Sequence, residues 1–392
     1  MATLTIPGSR VSEVRALTGI RGVAALYVIV LHYFAPLPLR SHLLCFFGHG
    51  YLAVDLFFSL SGFVMALNYS GMFINGVRLS GYIRFLSRRM ARIYPLYVVA
   101  LLVATALSAY GYLPLYGASV KATFWSNLFL IQNWGRWASM DYPAWSISAE
   151  WFAYIVFPFV LQPIFHSRSW TWSATILCSA GLCALTAFSY FHAGWPDLLN
   201  RSSGPLSLVR CFAEFCLGMI AYRTTLTSSG QTVKRSSWMT YVVMLAIIVL
   251  LAFRGTDLLV ALLFPWVVFS LNGSATRISR LLGSPPVEYL GLLSFSLYLI
   301  HPLLTGPLNR LDLAMQGRSL SHTHSIAVGL ILPILFLCSM ATYHSIEVPG
   351  RRVLRDLLDF ERREHPPNLQ LAGHGKVKEI RSRASFSEKG DA

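Results

Sequence analysis

The run LTGIRGVAALYVIVLHYFAPLPL, residues 17–39, is apolar and long enough to cross a bilayer, yet it carries Arg21 near one end and His32 in its interior. Ionisable groups at membrane depth are costly and mark a partner or a function. Eleven residues at about 100° each close on roughly three full turns, with a rise of about 16 Å. The spacing therefore predicts that Arg21 and His32 share one helix face and line one tunnel, with the guanidinium at the membrane edge and the imidazole near mid-depth. A neutral imidazole can take a proton from a hydroxyl or carry an acyl group itself. Simple packing against a neighbouring helix is the structural alternative.

Two carboxylates fall at similar depth in other apolar runs, Asp55 in GYLAVDLFFSLSGFVMALNY and Glu150 in PAWSISAEW. Either one beside His32 would hold its tautomer and stabilise the imidazolium formed on proton uptake. An ion pair between Asp55 and an arginine is the competing reading. Arg88, Arg89 and Arg92 lie in the basic stretch VRLSGYIRFLSRRMARIYP, expected as a loop at the same membrane face as Arg21. Such clusters also arise from topology alone. Their density nevertheless suits a phosphorylated head group, because guanidinium forks bind phosphate bidentately. A thioester of the coenzyme A type has such a head, and its pantetheine arm is long enough to bridge the roughly 16 Å to His32. Trp145, Tyr298 and His301 are candidates for the acceptor side. For Trp145 the alternative is an interfacial anchor, and for His301 a packing role. Arg210 and Glu214 are spaced as an i, i+4 ion pair. No cluster has metal-ligand spacing.

The elements that must position these residues are all helical. Hydrophobic residues make up 55% of the 392, and charged residues only 12%, which excludes an ordinary soluble fold. The expectation is an all-α polytopic membrane protein of about ten transmembrane helices, with 124–134 as a short re-entrant or interfacial helix. Counting Lys and Arg by side places 24 of 32 at the N-terminal face. Both termini are then cytoplasmic, and the net charge of +15 reflects membrane topology rather than nucleic acid. The expected organisation is a cytoplasmic N-terminus (1–16), a membrane domain (17–352) and a basic tail (353–392) with the composition of a disordered segment. No cleavable signal peptide is expected. The six cysteines read as small core residues.

The order RALTGIRGVAALYVIVLHYF, GYLAVDLFFSLSGFVMA, RFLSRRMARIYPLY, PAWSISAEWFAYIVFPF, SFSLYLIHPLL and SIEVPGRR resembles acyltransferase family 3, the integral membrane O-acyltransferases. The family's Arg-x10-His signature falls on Arg21 and His32, and its RxxR motif on Arg89 and Arg92. The resemblance implies ten core spans and an acyl-CoA donor, usually acetyl-CoA, used as a substrate rather than a bound cofactor. The acceptor it implies is a hydroxyl of a saccharide or other molecule at the far side of the inner (plasma) membrane. Some members carry a fused extracytoplasmic domain that completes transfer. None is visible here, so transfer is direct or uses a separate extracytoplasmic partner. The rival readings are a proton-coupled secondary transporter using His32, Asp55 and Glu150 as a relay, and a scaffold or flippase-like partner of a glycan pathway.

Overall fold

A computed structural model describes residues 10–34, 42–114, 120–135, 137–193, 199, 204–235, 237–316 and 323–358. Most of the expected tail and most of the N-terminal segment lie outside the described residues, while 353–358, the first residues of that tail, are helical. Within them the structure is helical, with no strand. Its principal helices are α1 (Arg10–Phe34), α2 (Ala53–Phe73), α3 (Leu79–Ala109), α4 (Trp145–His166), α5 (Arg168–Ala193), α6 (Pro205–Thr225), α7 (Trp238–Leu250), α8 (Asp257–Leu271), α9 (Pro285–Ile300), α10 (Thr323–Thr342) and α11 (Val348–Leu358).

Among the described residues, eight helical stretches are long and apolar enough to cross a membrane. Two of the ten anticipated spans, α7 and α8, have only 13 and 15 residues. At about 1.5 Å per residue they fall short of a hydrocarbon core of roughly 30 Å.

The basic stretch anticipated as a loop is instead the first half of α3, which runs 31 residues through Pro95 without a break. A bilayer-spanning bundle tolerates such a proline where neighbours re-satisfy the backbone. The 124–134 segment does not cross. It forms a short helix, Val120–Leu128, followed by turns, and Asn127 in the helix and Gln132 and Asn133 in the turns are buried. These side chains bond to the Thr123, Ala138 and Ala144 carbonyls and to Ser207, which satisfies an irregular backbone away from solvent. The cysteines divide: Cys211 and Cys216 are buried, whereas Cys183 is exposed.

Small residues set the two closest crossings. A Cβ on Gly291 would lie 1.9 Å from the Thr18 carbonyl oxygen, and one on Gly22 would lie 2.6 Å from the Gly291 nitrogen, so α1 and α9 touch backbone to backbone. Gly62 and Gly218 do the same for α2 and α6, where an added Cβ would sit 1.9 Å from the Phe215 or Ser59 carbonyl. Lipid tails are as apolar as leucine, so helix association in a bilayer depends on this kind of close approach. The α1 and α9 helices run parallel. Arg15 pairs with Glu288 at 3.5 Å near their starts, and the same register carries His32 to His301 at the other end. Ile29, Tyr33, Leu293, Leu297, Val328 and Leu335 form a compact cluster that joins α10 to this pair.

Candidate active site

Near the C-terminal end of α1, His32 Nδ1 lies 3.0 Å from His301 Nε2, with the two rings stacked at 5.1 Å between centroids. The Leu297 carbonyl lies 3.2 Å from His301 Nδ1 and can only accept, so the proton of that ring sits on Nδ1. His301 Nε2 is then a lone pair, and His32 Nδ1 must be the donor to it. His32 Nε2 is left unprotonated, the state a general base or nucleophile requires. Tyr33, whose hydroxyl donates to the His301 carbonyl at 2.8 Å, and Tyr142, edge-on to His32 at 5.7 Å, complete the surroundings. His32 and His301 open into a chamber of about 250 Å³, together with Leu113, Met140, Asp141, Tyr142 and Thr305. Burial pushes the Asp141 carboxyl well above the usual carboxylate range.

A second chamber of about 150 Å³ lies towards the other end of α1, where Arg21, Arg89, Arg92, Glu150, Tyr154 and Tyr298 line it. Arg89 and Arg92 reach it together because three residues along a helix bring side chains back to one face. Arg88 is rotated off that face and does not line the chamber. Arg89 donates to the Tyr69 hydroxyl at 3.1 Å, and its guanidinium lies over the Tyr69 ring at 5.4 Å. Arg21 and Arg92, by contrast, make no hydrogen bond or ion pair with any described residue. Glu150 and Glu347 lie within electrostatic reach of Arg21. Neither is committed to it: Glu150 accepts from Tyr154 at 2.5 Å, and the buried Glu347 accepts from Ser296 and Arg351 at 2.9 and 2.7 Å. Glu347 enters the bundle from a π turn, Tyr343–Glu347, that breaks the run from α10 to α11.

Arg21 and His32 thus line two chambers rather than one continuous tunnel. Tyr298 stands between them: it lines the arginine chamber, and its ring centroid is 5.9 Å from that of His301. Its hydroxyl donates to the Pro143 carbonyl at 3.1 Å and meets the Ser146 hydroxyl at 2.8 Å. Ser146 is therefore part of this partition.

Neither Asp55 nor Glu150 partners His32, and His301 takes the place expected of a carboxylate. Glu150 belongs to the arginine chamber. Asp55 is fully buried and held bidentately by Arg210, with Nε to Oδ1 at 2.6 Å and the second bond from Nη2 to Oδ2. This is the ion-pair reading of Asp55. Arg210 thus pairs across helices with Asp55, and the ion pair expected along α6 with Glu214 is not formed among the described residues. Trp145 lines neither chamber. It is buried, with the Arg210 guanidinium over its ring at 5.7 Å and Phe58 edge-on at 6.0 Å. Inspection of the sequence missed Asp141, Tyr142 and Tyr154. Tyr154, four residues after Glu150, was the most accessible of them, since that spacing shares a helix face.

Residues 14–344 match the family model described as an acyltransferase domain, and the chain belongs to that family. It is an acyltransferase, a multi-pass helical membrane enzyme. The chain is 29% identical over 380 residues to the acyltransferase MdmB of Streptomyces mycarofaciens, which covers 88% of this chain and 93% of that protein. A shorter match, 46% identical over 94 residues, joins it to protein 2 in the picA locus of Rhizobium radiobacter, over 23% of this chain and 43% of the other. No solved structure matches.

Proposed function

We propose that the protein moves an acyl group, acetyl in the first instance, from cytoplasmic acyl-CoA to a hydroxyl of a saccharide in a surface or secreted glycan, across the inner membrane. The observation that carries this reading is that one helix supplies two uncommitted groups at its two ends. Arg21, with Arg92 beside it, offers a guanidinium that no described residue uses. His32 offers an Nε2 lone pair fixed by His301. Guanidinium forks suit the phosphates of the coenzyme, and the roughly 16 Å between the two levels suits its extended arm.

In the direct route the acceptor oxygen attacks the thioester carbonyl while its proton passes to His32 Nε2. The carbon–sulfur bond breaks, and the coenzyme thiolate takes up that proton. His301, accepting from His32 Nδ1, stabilises the imidazolium in between, the task first assigned to a carboxylate. In the relay route His32 Nε2 attacks the thioester carbonyl, the carbon–sulfur bond breaks, and the coenzyme leaves as its thiol with the proton from Nδ1. The acceptor oxygen then takes the acyl carbon from Nε2, and its proton returns to the imidazole. Both routes need the thioester to pass Tyr298, so the bonds to Pro143 and Ser146 open during turnover. The match to MdmB runs over 93% of that protein, which supports transfer completed within the shared region rather than in an appended domain.

The testing experiment uses purified protein in lipid nanodiscs with acetyl-CoA, following acetyl-CoA binding by calorimetry and CoA release by thiol assay. Binding that weakens on Arg92→Ala and CoA release that stops on His32→Ala support the assignment. Release that survives His32→Ala refutes it.

A further inference from the structure

Asp141 stands on the wall of the histidine chamber, 2% exposed, and neither carboxyl oxygen meets a hydrogen-bond donor among the described residues. Its position makes this unusual. It immediately precedes the 3-10 turn Tyr142–Ala144, where an aspartate side chain ordinarily folds back to cap the free amides. Here the side chain makes no capping bond. The Asp141 backbone carbonyl instead accepts from the Ala144 amide at 3.0 Å, so the turn is closed without the carboxyl. A buried polar group with no partner is costly and is retained where a ligand supplies the partner.

The ligand chemistry follows from what faces the carboxyl. Two oxygens of one planar group, side by side and both without donors, match two neighbouring hydroxyls on one ring. His32 and His301 share the chamber, so a ring held by Asp141 would present a further hydroxyl to His32 Nε2. We propose that Asp141 binds adjacent hydroxyls of the acceptor and thereby selects both a polyhydroxylated acceptor and the position acylated. This rests on the acyl-transfer reading above. Asp141 forms and breaks no covalent bond in it. The reacting proton goes to His32, and Asp141 only exchanges hydrogen bonds with hydroxyls that stay intact.

The test reconstitutes the protein in liposomes with acetyl-CoA as donor. The acceptor probe is the source cells' own polysaccharide, freed of its acyl groups by mild alkali. Asp141→Ala is expected to raise the apparent KM for polysaccharide by about tenfold to a hundredfold, the cost of losing two buried hydrogen bonds. The KM for acetyl-CoA should stay within about twofold, and Asp141→Asn, which keeps one acceptor oxygen, should fall between. Asp141→Asn preserves shape and decides the matter if Asp141→Ala does not fold. Mapping the acetylated position should show the product of Asp141→Asn spread over more than one hydroxyl. An unchanged polysaccharide KM, or an acetyl-CoA KM that rises in step, overturns the assignment while leaving acyl transfer standing. Failure of the wild-type protein itself to acetylate the polysaccharide overturns the acyl-transfer reading and this inference together.

Discussion

His32 Nδ1 and His301 Nε2 stand 3.0 Å apart although 269 positions separate them in the chain. The contact exists because α1 and α9 run parallel and meet backbone to backbone at Gly22 and Gly291. It fixes which nitrogen of His32 carries the proton, and this leads to the first prediction. His301→Ala should lower the rate of acyl transfer by about two to three orders of magnitude, because the reactive tautomer of His32 is no longer enforced. Acetyl-CoA affinity should be unchanged. Single-turnover CoA release alongside calorimetric binding separates these quantities, and a wild-type rate in His301→Ala would show the pair to be mere packing.

Arg21 and Arg92 should act on the donor and not on the chemistry. Loss of either guanidinium by substitution to Ala is expected to weaken CoA binding by about tenfold to a hundredfold, the usual cost of a charge-assisted bond. Pantetheine, which lacks the phosphorylated nucleotide, should bind both variants as it binds the wild type. Arg88→Ala, which alters a residue outside the chamber, should change neither.

The Asp55–Arg210 pair is expected to matter for folding. Removing one partner leaves a buried charge uncompensated and should cost about 3–5 kcal/mol. Asp55→Asn and Arg210→Met should each lower the unfolding temperature in detergent well below that of the wild type. The double variant Asp55→Leu with Arg210→Met should recover most of the loss. If Asp55→Asn kept full stability yet lost activity, Asp55 would return to the catalytic role first considered for it.

Gly291→Ala offers a test of the crossing itself. The added methyl would fall 1.9 Å from the Thr18 carbonyl oxygen, so α1 and α9 must separate. Transfer activity should fall at least tenfold through misalignment of His32 with His301, while CoA binding at the arginine chamber is largely kept. Cross-linking of cysteines placed at the histidine end of the two helices, compared with and without the substitution, measures the separation directly.

How much of this was legible in the sequence depends on range. Local periodicity gave the helical membrane class, because a turn of 3.6 residues is a property of neighbours, but the common face of Arg89 and Arg92 emerged only with the helix that carries them. Periodicity also put Arg21 and His32 on one helix, though not the partition by Tyr298 that divides their two chambers. The basic stretch 78–92 read as a loop because charge masked a helix that continues through Pro95 into the apolar half of α3. The partners of Asp55 and His32 could not be read, since Arg210 and His301 come from helices far away in the chain and no spacing rule links them. Depth alone placed Asp55, Glu150 and His32 in one cavity. Rotation about each helix axis, which depth does not contain, sent them to three different environments. Asp141 escaped because a lone carboxylate in a short loop has no period to betray it.

The most direct measurement of the central claim is the rate of CoA release from acetyl-CoA by purified protein in nanodiscs, for wild type and His32→Ala, with acetyl-CoA binding recorded on the same preparations. The account requires the variant to bind acetyl-CoA as tightly as the wild type and to release CoA at least about a thousandfold more slowly. A variant that releases CoA within a few-fold of the wild-type rate would contradict it.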